Sequence, residues 1–421
     1  MIAARRSRRL SRRTVLGFGA AAGLLPAAAW ANSEPLRVGF LTVTTGPLAA
    51  GGKQMEEGLT QFLKERNGTL AGRKIELITA DTGGLQAQAL PKTQELVEHS
   101  NVQVIIGPLE AYEARAIDEY LRQGHVPLIT PTAAAWLDLR FGREVNPWLI
   151  HAVGTAAQAT HPLGAYAAKT LGYQRVATIA DDFAYGYEGT AGFQRTFEDN
   201  GGKVVQKLWS PISATDYGPF IAQLKRDLDA VYVGYDGVNA LRFLKQYADQ
   251  GLHAKIPLLG NTGSTDEGIL RVMGDEALGI ITAGWYAATV ESTDNYRFTE
   301  AIRIAYGHDP GSCTAGAYTA GLFLENALNK LKGDTSNPEA LRDTLRKTWI
   351  INDPIGSIKL DNYGTPILDV HIRRVERRNG RLVNTVVSTV KDVSQFWTYD
   401  VRQFLAAPPY SRDYPPAKNL E

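Results

Sequence analysis

Two doubly wound α/β lobes are the fold class that this 421-residue sequence predicts. From residue 34 onwards, short apolar segments alternate with longer segments whose apolar residues recur at helical spacing. Some of the short segments are apolar throughout, as in Ala230–Gly234, which is typical of strands buried on both faces of a parallel sheet. The alternation occurs twice with no linker rich in proline or serine between the halves, so the two lobes should share the segments that cross between them.

In the first half, strands are predicted at Leu36–Thr42, Lys74–Thr79, Val102–Ile106 and Pro127–Ile129. The intervening helices should carry Met55, Leu59, Phe62 and Leu63 on one stripe, run from Gln86 to Ser100, and include Ala114, Ile117 and Leu121. In the second half, helices are predicted at His161–Leu171, Glu188–Asn200, Pro219–Lys225, Leu241–Gln250 and Thr314–Leu331. Strands are predicted at Arg175–Ala180, Val204–Leu208, Ala230–Gly234, Ile256–Leu259 and Ile280–Gly284. Alternating apolar residues after Ser357 predict antiparallel strands.

Residues 1–31 have the pattern of an export signal. Six arginines and no acid precede an apolar run from Val15 to Ala29, which ends in the small-x-small sequence Ala29-Trp30-Ala31. The pair Arg12-Arg13 has the twin-arginine arrangement that addresses a chain to the folded-protein export route. The alternative is a membrane anchor, but the run is shorter than the ~20 apolar residues that a span needs. We therefore expect a twin-arginine signal peptide that is cleaved on export to the periplasm.

Charge, cysteine content and motifs exclude several classes of protein. The chain carries a net charge of +1, and the six arginines of the signal leave the mature part negative, so neither nucleic acid nor an anionic membrane is an expected partner. Cys313 is the single cysteine, so no intrachain disulfide is possible, and it is expected to be a small apolar residue rather than a nucleophile. Neither a nucleophile elbow, a phosphate-binding loop nor a metal-ligand spacing is present, so no catalytic residue, metal or cofactor is expected.

Short motifs follow the predicted strands in a regular order. They are Thr45-Gly46-Pro47, Ile106-Gly107-Pro108, Thr130-Pro131-Thr132, Asp181-Asp182-Phe183-Ala184-Tyr185-Gly186, Asp216-Tyr217, Asp229-Ala230-Val231, Phe243-Leu244-Lys245-Gln246 and Ala317-Tyr318. In order and spacing they resemble the periplasmic substrate-binding proteins of ABC importers, of the leucine/isoleucine/valine-binding type. The resemblance implies a type I periplasmic binding protein fold with crossovers near residues 153, 282 and 366. It implies a first lobe of residues 34–153 plus 283–366, a second lobe of 154–282 plus 367–400, and an extended tail at 401–421.

The loops that carry these motifs are the expected ligand site. In an open parallel sheet, ligands bind beyond the carboxyl ends of the strands. Each loop opens a helix, so backbone N–H groups should converge there on an anion such as a carboxylate. The expected contacts from the first lobe are Thr45, Gly107, Pro108, Thr130 and Thr132. The two hydroxyls of the last pair can donate to a carboxylate, although a structural N-cap is an equally good interpretation of Thr132.

Two positions depart from what the resemblance implies for an amino-acid ligand. Relatives place a serine hydroxyl on the ligand carboxylate where this chain has Ala111, and an acid on the ligand ammonium where it has Thr262. A carboxylate would then be held by backbone amides and by a hydroxyl such as that of Tyr112. An unpaired ammonium in a closed cleft would be costly, so a solute without one is expected. Glu110 or Asp236 would restore an ammonium site, unless both are solvated loop acids.

Aromatic residues are frequent at or just beyond the predicted strand ends. They are Tyr112, Trp136, Tyr185, Tyr235, Trp285 and Tyr286. Such side chains offer apolar area with a polar group at one end, which suits an aromatic or branched apolar acid. The alternative is that some of them, Trp136 and Trp285 above all, pack at the hinge or in the core.

The expected function is therefore a non-catalytic periplasmic receptor that closes on a small organic acid and delivers it to the permease of an ABC importer. Two alternatives share the fold: a branched-chain or other amino-acid receptor, and a sensor of amides or urea. An enzyme on the same scaffold is a third, disfavoured by the missing catalytic motifs. A monomer is expected, because the receptor must dock on a permease.

Overall fold

The computed structural model describes residues 34–46, 48–132 and 146–421. The expected signal peptide and the predicted site residue Trp136 lie outside these ranges. None of the helices in the described ranges has the length and the apolar character that crossing a bilayer requires.

The described strands alternate with helices along most of the chain. The strands are β1 (Leu36–Thr42), β2 (Thr69–Leu70), β3 (Arg73–Asp81), β4 (Val104–Ile106), β5 (Leu128–Thr130), β6 (Leu149–His151), β7 (Arg175–Asp181), β8 (Lys203–Ser210), β9 (Ala230–Gly234), β10 (Leu258–Gly260), β11 (Ile281–Gly284), β12 (Trp349–Ile350), β13 (Ile358–Leu360), β14 (Pro366–Arg378) and β15 (Arg381–Val393). The helices are α1 (Ala49–Glu65), α2 (Gln86–Gln94), α3 (Ala111–Gly124), α4 (Ala156–Lys169), α5 (Ala184–Asp199), α6 (Gly218–Gln223), α7 (Gly237–Asp249), α8 (Glu267–Leu270), α9 (Thr293–Tyr306), α10 (Ser312–Lys330), α11 (Pro338–Arg346) and α12 (Val401–Ala406).

The first sheet has the order β2-β3-β1-β4-β5-β6 in the described residues. All its pairings are parallel except that of the short β2 with β3. Buried apolar residues of β1 and β4 pair directly, as in Val38 with Val104, so this is a sheet covered on both faces. On one face, α1 packs against α10 so closely that a Cβ on Gly58 would lie 2.0 Å from the carbonyl oxygen of Thr314.

The second sheet has the order β12-β13-β14-β11-β10-β9-β7-β8, with β15 beside β14. Strands β7 to β11 are parallel, whereas β14 and β15 form a long antiparallel hairpin. Asn379 and Gly380 make the two-residue turn of this hairpin, with φ values of 51° and 79°. Positive φ at both positions matches the twist of the flanking strands, and Asn-Gly adopts it at low cost.

The chain leaves the first sheet for the second lobe between β6 and α4, and after β11 it returns to α9 and α10, which pack on α1; β13 and β14 pair within the second sheet. Gln158 on α4 joins the first of these passages to the β14–β15 hairpin, because its Nε2 donates to the carbonyl oxygens of Pro366 (2.8 Å) and Val393 (2.6 Å). Its Oε1 accepts from the backbone N–H of Thr155 at 3.1 Å. The predicted class of two α/β lobes with parallel sheets is confirmed, while the residue ranges of the lobes stay a prediction.

Some elements differ from the sequence-based expectation. Helices α9 and α11 and strand β6 were not predicted, although α9 has clear end signals: Ser292 caps its N-terminus and Gly307, with φ of 78°, ends it. The tail at 401–421 was expected to be extended, but its first residues form α12. Asp400 causes this, because its side chain accepts a hydrogen bond from the backbone N–H of Gln403.

Candidate functional site

Loops at the carboxyl ends of both sheets face one another across a cleft. The loop after β4 brings Glu110, and the loop after β9 brings Asp236 from the other sheet. Burial, followed by the charge of Asp236, raises the pKa of Glu110, and burial also raises the pKa of Cys313 at the start of α10. Burial, followed by the charge of Asp236, raises the pKa of Tyr185 in the loop after β7. The cleft between the lobes is therefore the place where loops from both sheets meet.

A direct contact closes one edge of this cleft. Asp266, after β10, accepts hydrogen bonds from the backbone N–H (2.8 Å) and Oγ (2.7 Å) of Ser312 at the start of α10. Its other oxygen accepts from Nε2 of Gln54 on α1 at 3.0 Å and from the N–H of Gly268 at 2.9 Å. Because α1 and α10 pack on each other and Asp266 belongs to the second sheet's loops, these bonds hold the two lobes together.

The wall formed by the first sheet is built on close backbone packing. Gly107 has φ of 127°, and a Cβ there would lie 2.0 Å from the carbonyl oxygen of Leu41, so glycine is required. The hydroxyl of Thr132 points back to this loop and donates to the carbonyl oxygen of Leu109 at 2.5 Å. It was predicted to donate to a ligand carboxylate. In this conformation its proton is directed at the backbone, and its lone pairs remain as acceptors.

Three further hydroxyls predicted at the site support the loops instead. Thr45 donates to Asp81 Oδ2 at 2.7 Å, and the buried hydroxyl of Thr130 pairs with Nδ1 of His151 at 2.8 Å. Thr262 donates to the carbonyl oxygen of Ala283 at 2.9 Å. Each of these hydrogen bonds holds the end of a strand in place, so the three hydroxyls are directed at the protein and not at the cleft. Sequence position alone does not reveal this, because all three partners are distant in the chain.

Arg373, on β14, lies behind the loop that carries Thr262 and was not predicted. It is 0% exposed and donates through Nη2 to the carbonyl oxygen of Thr262 at 2.9 Å. It also donates to Thr282 Oγ1 and to the carbonyl oxygen of Tyr286. A permanent positive charge therefore supports this wall from within, with the carboxylate of Glu267 4.0 Å away.

Carboxyl groups determine the charge of the cleft. Glu110 precedes α3 and is half-buried; burial, together with Asp236 and Glu113, raises its pKa to about 8. Asp236 precedes α7, and its Oδ1 accepts from the N–H of Gly237 at 2.6 Å. Part of Asp236 is exposed to water, but the protein around its carboxyl group displaces solvent. This desolvation, together with the charge of Asp266, raises the pKa of Asp236 to about 6.

The predicted aromatic residues divide into two groups. Tyr185 keeps part of its surface exposed in the cleft, and Tyr112 is half-buried with its hydroxyl donating to the carbonyl oxygen of Gly84 at 2.8 Å. Tyr235 is 0% exposed, with its hydroxyl 3.0 Å from Ser210 Oγ, so it packs in the core of the second lobe. Trp285 and Tyr286 are likewise buried. Their burial agrees with the alternative interpretation, that some of these aromatic residues pack in the core.

Several buried polar atoms near the strand ends of the second sheet have no hydrogen-bond partner in the described residues. Among them are the hydroxyl of Tyr232, on β9, Nδ2 of Asn261, directly after β10, and Nε1 of Trp285. Tyr232 and Asn261 both lie against Gly189 of α5. Sequence reasoning did not select them, since an apolar strand and an N-cap explain both residues locally.

Comparison with known proteins identifies the family. A family model described as periplasmic binding protein matches residues 35–381. The Leu/Ile/Val-binding protein homolog 6 of Brucella melitensis is 26% identical over 371 residues, which cover 86% of this chain and 93% of that protein. An ABC transporter substrate-binding protein from Sphaerobacter thermophilus is 31% identical with a TM-score of 0.80, covering 86% of this chain and 99% of its own. A solute binding protein of an ABC transporter from Rhodopseudomonas palustris BisB5, in complex with 3,4-dihydroxybenzoic acid, is 29% identical with a TM-score of 0.81, covering 86% and 98%.

Proposed function

This chain belongs to the periplasmic binding protein family, and we propose that it captures a small organic acid by hinge closure and delivers it to the permease of an ABC importer. The acid has an aromatic or branched apolar body. The observation that carries the proposal is the meeting of loops from both sheets at one cleft, where helices α3, α5 and α7 begin. Backbone N–H groups at helix N-termini bind carboxylates without needing a basic side chain.

Similarity supports the ligand class. The Rhodopseudomonas palustris protein binds a dihydroxybenzoic acid and matches this chain over 86% of its length. A carboxylate here would rest on the backbone around Ala111 and Thr132, with Tyr185 against the apolar body. Tyr112 contributes half-buried aromatic surface on the opposite side.

An amino acid is the second candidate ligand. The curated relative from Brucella melitensis is named for leucine, isoleucine and valine. The acids Glu110 and Asp236, each directly before a helix at the carboxyl end of a sheet, favour this candidate, because a carboxyl group suits a ligand that carries a positive charge.

The route to the periplasm and the mode of action are also part of the proposal. Residues 1–31 act as a twin-arginine signal peptide, so the protein folds before export. The mature protein acts as a monomer and returns its solute chemically unchanged. A sensor of amides or urea would share the fold but would bind a neutral solute.

Native mass spectrometry of protein isolated from the periplasm is the first test, because such receptors retain tightly bound solutes. Thermal shift and calorimetry with benzoates, aliphatic acids, amino acids and amides then rank the classes. At 100 times its Kd, a true ligand stabilises the folded protein by about 2.7 kcal/mol and so raises the melting temperature, and small-angle scattering shows a more compact protein. A purified protein that converts its ligand to another compound, or that none of these solutes stabilises, contradicts the proposal.

A further inference from the structure

We propose that the tail at 401–421 holds helix α5 in the orientation that presents Tyr185 to the cleft, with Arg412 as the positioning residue that links the tail to this site. The inference rests on the proposed function, which places Tyr185 against the captured solute. It goes further by giving residues outside the cleft a part in the affinity for that solute. The match to the family model ends at residue 381, before the tail begins, so membership of the family predicts no role for the tail.

Aromatic residues attach the first part of the tail to the second lobe. Phe404 and Tyr410 are buried in a hydrophobic cluster that includes residues of α4 and α5. The hydroxyl of Tyr410 lies 3.0 Å from Nε2 of His161 on α4 and accepts from Nη1 of Arg195 on α5 at 3.2 Å. Burial of large aromatic side chains is strongly favourable, so this part of the tail is attached firmly.

The end of the tail is attached at the edge of the second sheet. Two oxygens of Glu421 accept from Nη1 and Nη2 of Arg175, at 2.8 and 2.9 Å. The backbone N–H of Glu421 donates to the carbonyl oxygen of Val205 at 3.1 Å. Val205 belongs to β8, the last strand at that end of the sheet, where backbone groups lack a neighbouring strand. The tail is therefore fixed at both ends.

Between these two attachments, the tail bonds to the second half of α5. The carbonyl oxygen of Pro415 accepts from Nε2 of Gln194 at 3.2 Å. The backbone N–H of Lys418 donates to Oε1 of Glu198 at 3.2 Å. Helix α4 also packs against α5, so movement of α5 is restrained by both α4 and the tail.

Arg412 extends this restraint to the loop at the cleft. Its Nη1 donates to Oδ2 of Asp182 at 3.1 Å, and Oδ1 of the same carboxylate accepts from the hydroxyl of Tyr187 at 2.6 Å. Asp182 precedes Tyr185 in the loop after β7, and Tyr187 follows it in the first turn of α5. One carboxylate therefore joins the tail to residues on both sides of Tyr185.

The Arg412–Asp182 pair acts by position more than by strength. The two side chains are 53% and 28% exposed, and exposed ion pairs contribute little stability. A loop that is ordered before the solute arrives nevertheless binds with a smaller loss of conformational entropy. The measured affinity falls in proportion when only a fraction of molecules has the ordered site. Loss of the tail contacts should therefore weaken binding more than it destabilises the fold.

Three variants of the mature protein test the inference. Arg412→Ala removes the link to Asp182, Arg412→Lys retains a positive charge there, and deletion of residues 411–421 removes the later contacts but keeps Phe404 and Tyr410. The matched control is Arg402→Ala, at an exposed arginine of α12. Calorimetry measures binding of 3,4-dihydroxybenzoate and of leucine. Amide hydrogen exchange of the solute-free protein reports on residues 187–190 of α5, and melting curves report on the fold.

Arg412→Ala should weaken binding of the solute that the wild type takes up about twofold to fivefold. The deletion should weaken it about tenfold. Amides 187–190 should exchange faster than in the wild type in both variants, and by at least fivefold in the deletion. Arg412→Lys should keep most of the affinity, and Arg402→Ala should behave as the wild type does.

Unchanged exchange at residues 187–190 in the deletion variant overturns the inference. A lowered melting temperature with an unchanged Kd also overturns it, because the tail would then stabilise the second lobe without acting on the site. Both results leave the proposed function intact. If neither solute binds the wild type and no member of the wider panel stabilises it, the receptor function is contradicted, and the exchange rates still decide whether the tail holds α5.

Discussion

Asp266 accepts hydrogen bonds from both the backbone N–H and the hydroxyl of Ser312, at 2.8 and 2.7 Å, and so joins the second sheet's loops to the start of α10. A carboxylate at a helix N-terminus is stabilised by the unsatisfied N–H groups there. Asp266 is 5% exposed and takes a further bond from Gln54 of α1. The contact therefore stabilises the conformation in which the two lobes lie together.

Replacing Asp266 with alanine should weaken ligand binding about tenfold. The closed conformation would lose roughly the free energy that one hydrogen bond to a charged group contributes. Scattering should also show less compaction with ligand. Asp275→Ala, at an exposed aspartate, is the matched control. If Asp266→Ala lowers the melting temperature but leaves the Kd unchanged, the contact is present in both open and closed states and is part of the hinge.

Thr132→Val should weaken every ligand by a similar factor, about fivefold to tenfold. The reason is that its hydroxyl positions the loop through Leu109, a bond of about 1 kcal/mol. Thr132→Ser should restore affinity. Calorimetry with a carboxylate and its neutral amide separates the two interpretations: a loss confined to the carboxylate would mean that Thr132 donates to the ligand directly, as first expected.

Stability should fall as pH rises from 6.5 to 8. Asp353 is 2% exposed, and burial raises its pKa to about 7; Asp181, also 2% exposed, is raised to about 8 for the same reason. The folded protein then holds protons that the unfolded chain has released above its ordinary pKa of about 4, so stability present at low pH is lost towards pH 8. His151 and His371, with pKa values lowered to about 4 by burial, act in the opposite direction only up to about pH 6.5.

Asp353→Asn should reduce this loss by up to about 1 kcal/mol. The amide oxygen keeps the bonds that Oδ1 accepts from Thr319 and from the N–H of Ile355. Urea unfolding at pH 6.5 and 8 measures the difference, with Asp275→Asn as the exposed control. Equal pH dependence in Asp353→Asn and the wild type would show that Asp353 does not titrate in this range.

Replacing Arg12 and Arg13 with lysine should retain the protein in the cytoplasm, because the twin-arginine pair is recognised by its export receptor. Fractionation of cells and immunoblotting measure the distribution. As a control, two arginines in the general secretory signal of another exported protein are replaced with lysine in the same way. That protein should still reach the periplasm. Normal periplasmic accumulation would refute the twin-arginine route.

Local pattern determined the fold class and most of its elements. β1 and β9 lie at the predicted residues Leu36–Thr42 and Ala230–Gly234, because runs of buried apolar residues bounded by turn residues have few alternative structures. The sequence also located the loops that follow the strands. Gly107, in one of these loops, has a backbone conformation that glycine alone adopts readily.

The contacts of side chains in those loops were decided only by the tertiary structure. Tyr185 and Tyr235 both follow apolar strands, yet one lies in the cleft and the other in the core. The sequence by itself therefore determined that two α/β lobes present loops to a common cleft, and which residue types those loops carry. Only the fold decided that Asp266 reaches Ser312 and that the hydroxyl of Thr262 is already bonded to Ala283, because each of these relationships joins residues whose separation in sequence carries no local signal.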